Sequence, residues 1–231
     1  MKKYLLTAGV LALATVSFFT SCKDDDEIEI DTTVKTSLND KQLADKLEDA
    51  VKAEAAANDG TTTSSEGTVT TTTTTTTTST VNPDGNVVTT TTSVATSVDT
   101  ATGETSTTTE VVENEYSYTY EVNGVTYNTI EEVQAAVNQL PAGSTATVTA
   151  TLHQTTTTQR FDKDGNLIDT KTTENSQKGD ATTITIPDQE GKSSTSTIQV
   201  PASTTDATKT TQVDVTIQTT EKPLHSGGAA K

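Results

Sequence analysis

Apolar and polar residues alternate with a period of two along much of the chain. Tyr116, Tyr118, Tyr120 and Val122 share one face of a predicted strand. Ala146, Val148, Ala150 and Leu152 share one face of another, with Thr145, Thr147, Thr149 and Thr151 opposite. Ile184 and Ile186, then Ile198 and Val200, then Val213, Val215 and Ile217 repeat the rule. Period-two alternation with one polar side predicts antiparallel sheet that is wet on one face, and the apolar face then needs a cover.

Two stretches switch to helical spacing. Leu43, Leu47, Ala50 and Val51 form a narrow stripe within 37–59, behind a capping box of Asn39 and Gln42. Ile130, Val133, Val137 and Leu140 form a second stripe within 129–140, behind a capping box of Thr129 and Glu132. The second helix is the better candidate to cover the apolar sheet face. The first is expected to pack weakly.

Turn chemistry punctuates the strands. Asn82-Pro83-Asp84-Gly85-Asn86, Asp162-Lys163-Asp164-Gly165-Asn166 and Asp188-Gln189-Glu190-Gly191-Lys192 share one scheme, and Thr100-Ala101-Thr102-Gly103-Glu104 is a looser version. Each suits a type I turn with a glycine bulge, and Asn123-Gly124 suits a two-residue hairpin. Five such signals predict a hairpin meander. Residues 60–80 break the pattern, with nine consecutive threonines at 70–78. Threonine favours strand, but a uniform strand has nothing to fix its register. The segment is expected to be a linker or one loosely registered strand. The fold class is therefore α+β and mostly β: an antiparallel meander of residues 81–220 with a helix at 129–140, an N-terminal helix, a Thr-rich stem at 60–80 and a disordered tail at 221–231. A β-helix is the alternative, since Val122-Asn123-Gly124-Val125-Thr126-Tyr127-Asn128-Thr129-Ile130-Glu131-Glu132-Val133 resembles a hairpin-plus-helix lead-in of bacterial surface proteins that often precedes one.

Composition narrows the function more than the fold. Threonine is roughly a quarter of the residues, far above ordinary usage. Tryptophan is absent, and four tyrosines between 116 and 127 with Phe161 are the aromatics beyond residue 21. Removing residues 1–21 takes away Lys2 and Lys3 and no acid, moving the formal charge from −17 to −19. Such a chain does not suit nucleic acid, whose phosphates need clustered Lys and Arg.

The N-terminus carries the clearest functional signal. Lys2 and Lys3 precede an apolar run from Leu5 to Phe19, which is short for a spanning helix and is interrupted by Thr7, Thr15 and Ser17. Phe19-Thr20-Ser21-Cys22 resembles the bacterial lipobox, which implies cleavage after Ser21 and a diacylglyceryl group on Cys22. Two or three acyl chains anchor stably where one does not. Cys22 followed by Lys23, Asp24, Asp25, Asp26 and Glu27 resembles the export signal of Bacteroidota surface lipoproteins, which implies an outer-membrane protein facing the exterior. The implied partners are the membrane, reached through the anchor, and the lipoprotein processing and export machinery. Residues 22–36 then read as an acidic tether. Asp31-Thr32-Thr33 and Asp99-Thr100-Ala101 resemble the acceptor used in Bacteroidota protein O-glycosylation, which implies Thr32 and Thr100 as modification sites.

Catalytic chemistry finds little support. His153 and His225 are the two histidines, and neither belongs to a nucleophile arrangement. The spacing that zinc needs is missing. Asp162-Lys163-Asp164-Gly165-Asn166 opens like a calcium loop, but Leu167 and Thr173 stand where that loop needs Gly and Glu. Glu115 and Glu121 share a strand face with Ser117 and Thr119, and paired carboxylates serve glycosidases when a cleft accompanies them. The tyrosine row, Tyr116, Tyr118 and Tyr120, reads first as core and second as a platform for sugar rings. The expectation is a non-enzymatic surface lipoprotein with no cofactor, an adhesin or envelope scaffold contacting a glycan or a host or matrix protein. The alternative is a glycan-binding accessory lipoprotein of an outer-membrane uptake system.

Overall fold

The computed structural model describes residues 30–36 and 38–221. Cys22 and the acidic run after it lie outside that range, as does the tail from 222. The elements are β1 (Ile30–Thr36), α1 (Asp40–Ala56), β2 (Gly60–Glu66), β3 (Val69–Val81), β4 (Val87–Asp99), β5 (Thr105–Val122), β6 (Val125–Tyr127), α2 (Ile130–Asn138), β7 (Thr145–Phe161), β8 (Leu167–Lys178), β9 (Thr182–Thr185), β10 (Ser193–Pro201) and β11 (Thr210–Glu221).

The strands form two open antiparallel sheets. The large sheet runs β2-β3-β4-β5-β7-β8, with β6 continuing the line of β4 along β5 and β9 continuing the line of β8 along β7. The small sheet is β1-β11-β10. The class is α+β and mostly β, as the alternation predicts, and every strand pairing is antiparallel, unlike a β-helix.

The core lies at one end of the large sheet. Ala146, Val148, Ala150 and Leu152 on β7 are fully buried, as are Ile184 on β9 and Ile217 on β11. All but Leu152 cluster with Val200 and Val215 of the small sheet, and with Ile130, Val133 and Val137 of α2. Leu47 and Val51 of α1 seal a flanking cluster over Val87 and Leu152. The expected single covering helix is thus corrected: the cover is a second sheet flanked by two helices. α2 is too short to bury the whole face, and the small sheet supplies the branched side chains that a pleated surface packs well. Both helices start at the capping boxes read from the sequence: Gln42 N–H donates to Asn39 Oδ1 at 2.8 Å and Glu132 N–H to Thr129 Oγ1 at 3.1 Å.

Three segment assignments also change. Residues 60–80 are β2 and β3, a hairpin turned at Gly67 (φ +60°), rather than a stem. Part of the acidic tether, residues 30–36, is β1, paired along its length with β11, so the folded unit begins well before residue 81. The turn at Asp188–Lys192 does not close a hairpin. β9 pairs with β7 whereas β10 pairs with β11, so this turn carries the chain between sheets. The same local chemistry serves either outcome, and the buried faces of Ile184 and Ile198 choose. The other four predicted turns close hairpins.

Beyond the core the large sheet continues as one layer. β2 is exposed throughout, and β3 and β4 are half-exposed along most of their length. Threonine hydroxyls bridge the strands: Thr71 to Ser97 at 2.8 Å, Thr75 to Ser93 at 3.1 Å, Thr77 to Thr91 at 3.1 Å and Thr61 to Thr74 at 3.2 Å. Cross-strand pairs of this kind each contribute about 0.2–1 kcal/mol. Register comes from the ends. Val81 pairs with Val87 beside the core, and Ser79 and Thr77 donate to Glu48 and Asp59, the first on α1 and the second just after it.

Candidate binding cleft and hydroxyl sheet

The C-terminal half of α1 overhangs β4, β5 and β7 and leaves a gap beside them. The gap is a cavity of about 250 Å³ lined by Val51, Glu54, Thr89, Asn114, Tyr116 and Gln154 and closed on one side by Ser203 to Thr205. Its floor follows from strand register. Tyr116 sits opposite Val87 and Gln154, and Asn114 opposite Thr89 and Thr156, so these side chains share the face below α1.

The floor is a locked polar network. Gln154 Nε2 donates to Asn114 Oδ1 at 2.8 Å, and Thr156 Oγ1 donates to the same oxygen at 2.7 Å. Asn114 Nδ2 donates to Thr89 Oγ1 at 3.4 Å, and the Thr204 hydroxyl donates to Gln154 Oε1. Glu54 accepts from Thr205 Oγ1 at 3.2 Å and pairs with Lys209 at 3.5 Å. Burial pushes the Tyr116 phenol up, opposed by a hydrogen bond with Thr89 and assisted by the charge of Glu54. Glu54 is the one ionisable carboxylate in a lining that holds no Lys, Arg or His. The arrangement offers hydroxyls, amides and one half-buried aromatic ring, which suits a neutral hydroxylated ligand and does not suit an anion.

The tyrosine row lies mainly inside. Tyr120 is 4% exposed. Its ring stacks on that of Tyr118 with centroids 6.2 Å apart, and Tyr118 donates its hydroxyl to the Pro201 carbonyl at 2.5 Å. Burial pushes both phenols well above the usual tyrosine range. Tyr116 alone of the three lines the cavity beneath α1.

The other candidate residues are scattered. His153 lies on the opposite face, where its Nε2 meets Thr119 Oγ1 at 2.8 Å. Glu115 accepts from Asn82 Nδ2 at 3.2 Å and Asn86 Nδ2 at 2.8 Å, bracing a turn, while Glu121 pairs with Lys178 at 3.6 Å. The two carboxylates therefore serve separate structural contacts. Asp162 Oδ1 accepts the backbone N–H groups of Asp164 and Asn166, each at 2.9 Å. Among the described residues no group of three or more His, Cys, Asp or Glu is placed to hold a metal.

The two threonines proposed for glycosylation differ in setting. Thr100 is exposed, and its Oγ1 donates to the Thr68 carbonyl at 2.9 Å, tying the β4–β5 turn to the β2–β3 turn. Thr32 falls in β1 opposite Thr219. Cys22, Lys23, Asp24, Asp25 and Asp26 lie outside the described residues.

Sequence reasoning missed the cleft. Asn114, Gln154 and Thr204 are far apart in the chain and meet through strand pairing and the β10–β11 loop of the small sheet, which no local pattern announces. No family model matches the chain, and neither a curated protein nor a solved structure matches it.

Proposed function

We propose that this chain is a lipid-anchored protein of the outer membrane, displayed to the exterior, which works without catalysis as an adhesin or envelope scaffold. The observation that carries the reading is the leader ending in Cys22-Lys23-Asp24-Asp25-Asp26. Among the described residues no helix is long and apolar enough to cross a membrane. In this reading attachment is through the acyl chains of Cys22. Strand β1 starts eight residues after Cys22, and eight residues reach at most about 29 Å when fully extended. The core would therefore sit close to the membrane, and display would rest on the single-layer sheet instead of a linker stem.

Metabolic labelling with a fatty-acid analogue tests the anchor: the wild-type chain takes the label and Cys22→Ala does not. Protease treatment of intact cells tests the orientation. Survival of the chain until the outer membrane is opened would place it on the periplasmic side. Release of an unacylated chain into the medium would defeat the proposal.

A second reading, a glycan-binding accessory lipoprotein, is favoured by the cleft at Tyr116. It predicts saturable binding of a neutral oligosaccharide, lost on Tyr116→Ala and on Gln154→Ala with thermal unfolding still cooperative. A glycan array with no ligand for the folded chain would remove it.

A further inference from the structure

Among the described residues the longer outer strand edges are those of β1, β10, β8 and β2, beside the short edges of β6 and β9, and the four are treated differently. The β1 edge is capped by α2, since Val34 N–H donates to Asn138 Oδ1 at 2.6 Å and Gln134 Nε2 donates to Thr36 Oγ1 at 2.7 Å. The β10 edge is occupied by Gly179, where an added Cβ would come within 3.0 Å of the Gln199 carbonyl, and by a bond from Ser194 Oγ to the Thr185 carbonyl at 2.9 Å. The β8 edge is open but carries Asp169, Lys171, Glu174 and Lys178, with a register shift where it meets Arg160 and Phe161. Charges, bulges and covering segments are the usual devices that stop strand edges from pairing. The β2 edge has no bulge and no covering segment, and a single charge at its end. It is Gly-Thr-Thr-Thr-Ser-Ser-Glu, exposed at all seven positions and in unbroken register with β3, with Glu66 as its one charge.

We infer that the outer edge of β2 pairs antiparallel with β2 of a second copy, joining two large sheets into one continuous sheet. The occupant is a second copy because the edge is self-complementary. Within one chain β2 already pairs with the threonine tract of β3 through hydroxyl contacts, Thr61 to Thr74 at 3.2 Å and Ser65 to Thr70 at 3.2 Å. A second β2 repeats that surface. A two-fold axis at Thr63 is the register that pairs all seven residues, setting Thr61 against Ser65 of the other copy and Glu66 against Gly60. The two Glu66 carboxylates then lie about 20 Å apart along the strands, well beyond a Debye length at physiological salt. Asp59, next to Gly60, is turned inward, accepting from the Thr77 hydroxyl at 2.7 Å. The charge of −17 opposes association at a distance, so added salt strengthens it. This inference does not need the membrane anchor.

Single cysteine substitutions in the full chain test both pairing and register under mild oxidation. Thr63→Cys gives a disulfide-linked dimer, whereas Thr61→Cys or Ser65→Cys alone gives none and the two mixed give the dimer. Each substitution is made in a Cys22→Ser chain, and that cysteine-free chain is the blank. Sedimentation of the purified chain is the second measurement: wild type moves from monomer to dimer as concentration and salt rise, and Thr63→Lys stays monomeric at the concentration and salt where the wild type is dimeric, with an unchanged melting temperature. A wild-type chain that stays monomeric at high salt overturns the inference. So does a dimer that Thr63→Lys leaves intact, or equal cross-linking from all three positions, which would signal parallel or random contact.

Discussion

Tyr118 and Pro201 are separated by 83 residues, yet the phenol of one donates to the carbonyl of the other at 2.5 Å. The bond joins the C-terminal third of β5 in the large sheet to the last residue of β10 in the small one. It is a polar clasp at the seam where both apolar faces close. Removing its donor strands a covered carbonyl, so Tyr118→Phe should destabilise the protein by about 1–3 kcal/mol. Tyr118→Ala should cost more, about 3–5 kcal/mol, because it also opens a cavity. Urea denaturation followed by circular dichroism reads both, and a Phe variant as stable as wild type would show that the clasp contributes nothing.

Alkaline pH should act on the same seam. Burial keeps Tyr118 and Tyr120 protonated beyond the usual range, and for Tyr120 the nearness of Tyr118 adds to the effect. The folded state thus binds these protons more tightly than the unfolded chain, whose tyrosines titrate near about 10. Their contribution is fully present below that pH and is lost as pH rises above it. Tyrosinate absorbance from these two rings should appear together with the loss of circular dichroism. Smooth ionisation within an intact fold would contradict this.

Acid should act on the turns. The Asn166 side chain first, then the backbone N–H groups of Asn166 and Asp164, and Lys163 hold the Asp162 carboxyl below the usual carboxylate range. Its turn is supported above the unfolded pKa and loses that support as pH falls through the lower folded value. The chain contains its own control. Asn82 makes the equivalent bonds to the N–H groups of Asp84 and Asn86, at 3.0 and 2.9 Å, with no charge to titrate. Asp162→Asn should therefore keep the turn and remove its acid sensitivity, read as Asn166 amide exchange against pH.

Helix α1 depends on one cap and one stripe. Asn39→Ala should cost about 1 kcal/mol by freeing the Gln42 N–H. Leu47→Ala, at a residue 1% exposed, should cost about 2–5 kcal/mol. Thermal unfolding of both variants ranks them, and a larger loss from the cap than from the stripe would mean that α1 contributes little through packing.

Protection along β5 should be graded. Residues 116–122 lie over the core, whereas 105–110 run through the single layer with exposed or half-exposed side chains. Sheet without buried apolar contacts opens locally at lower free energy. Amide exchange should therefore be faster in the first part of this one strand than in the last. Uniform protection would mean that the hydroxyl ladder is as cohesive as the core.

These contrasts also separate what was legible in the sequence from what was not. Both capping boxes and the buried series at Ala146 to Leu152 followed from local period and local hydrogen-bond chemistry. The hairpin of β2 and β3 did not, because an unbroken threonine tract has no period to read. Its one cue was Gly67, flanked by two threonine-rich runs. The crossover at Asp188–Lys192 was hidden for a different reason, since its turn residues match those of true hairpins and the partner strand is set by distant apolar faces. The cleft depends on side chains from β4, β5, β7 and the loop after β10, a coincidence that only tertiary pairing creates.

The slip-invariance of β3 has an evolutionary consequence. Thr70 to Thr78 is a run in which gaining or losing two residues would leave every side chain on its former face, while gaining or losing one would turn either Val81 or Val69 over. Repeat tracts change length readily when they are copied. Changes in steps of two could therefore resize the outer sheet while Val81 keeps its seat beside Val87, making the span of the displayed surface a heritable variable that the core never senses.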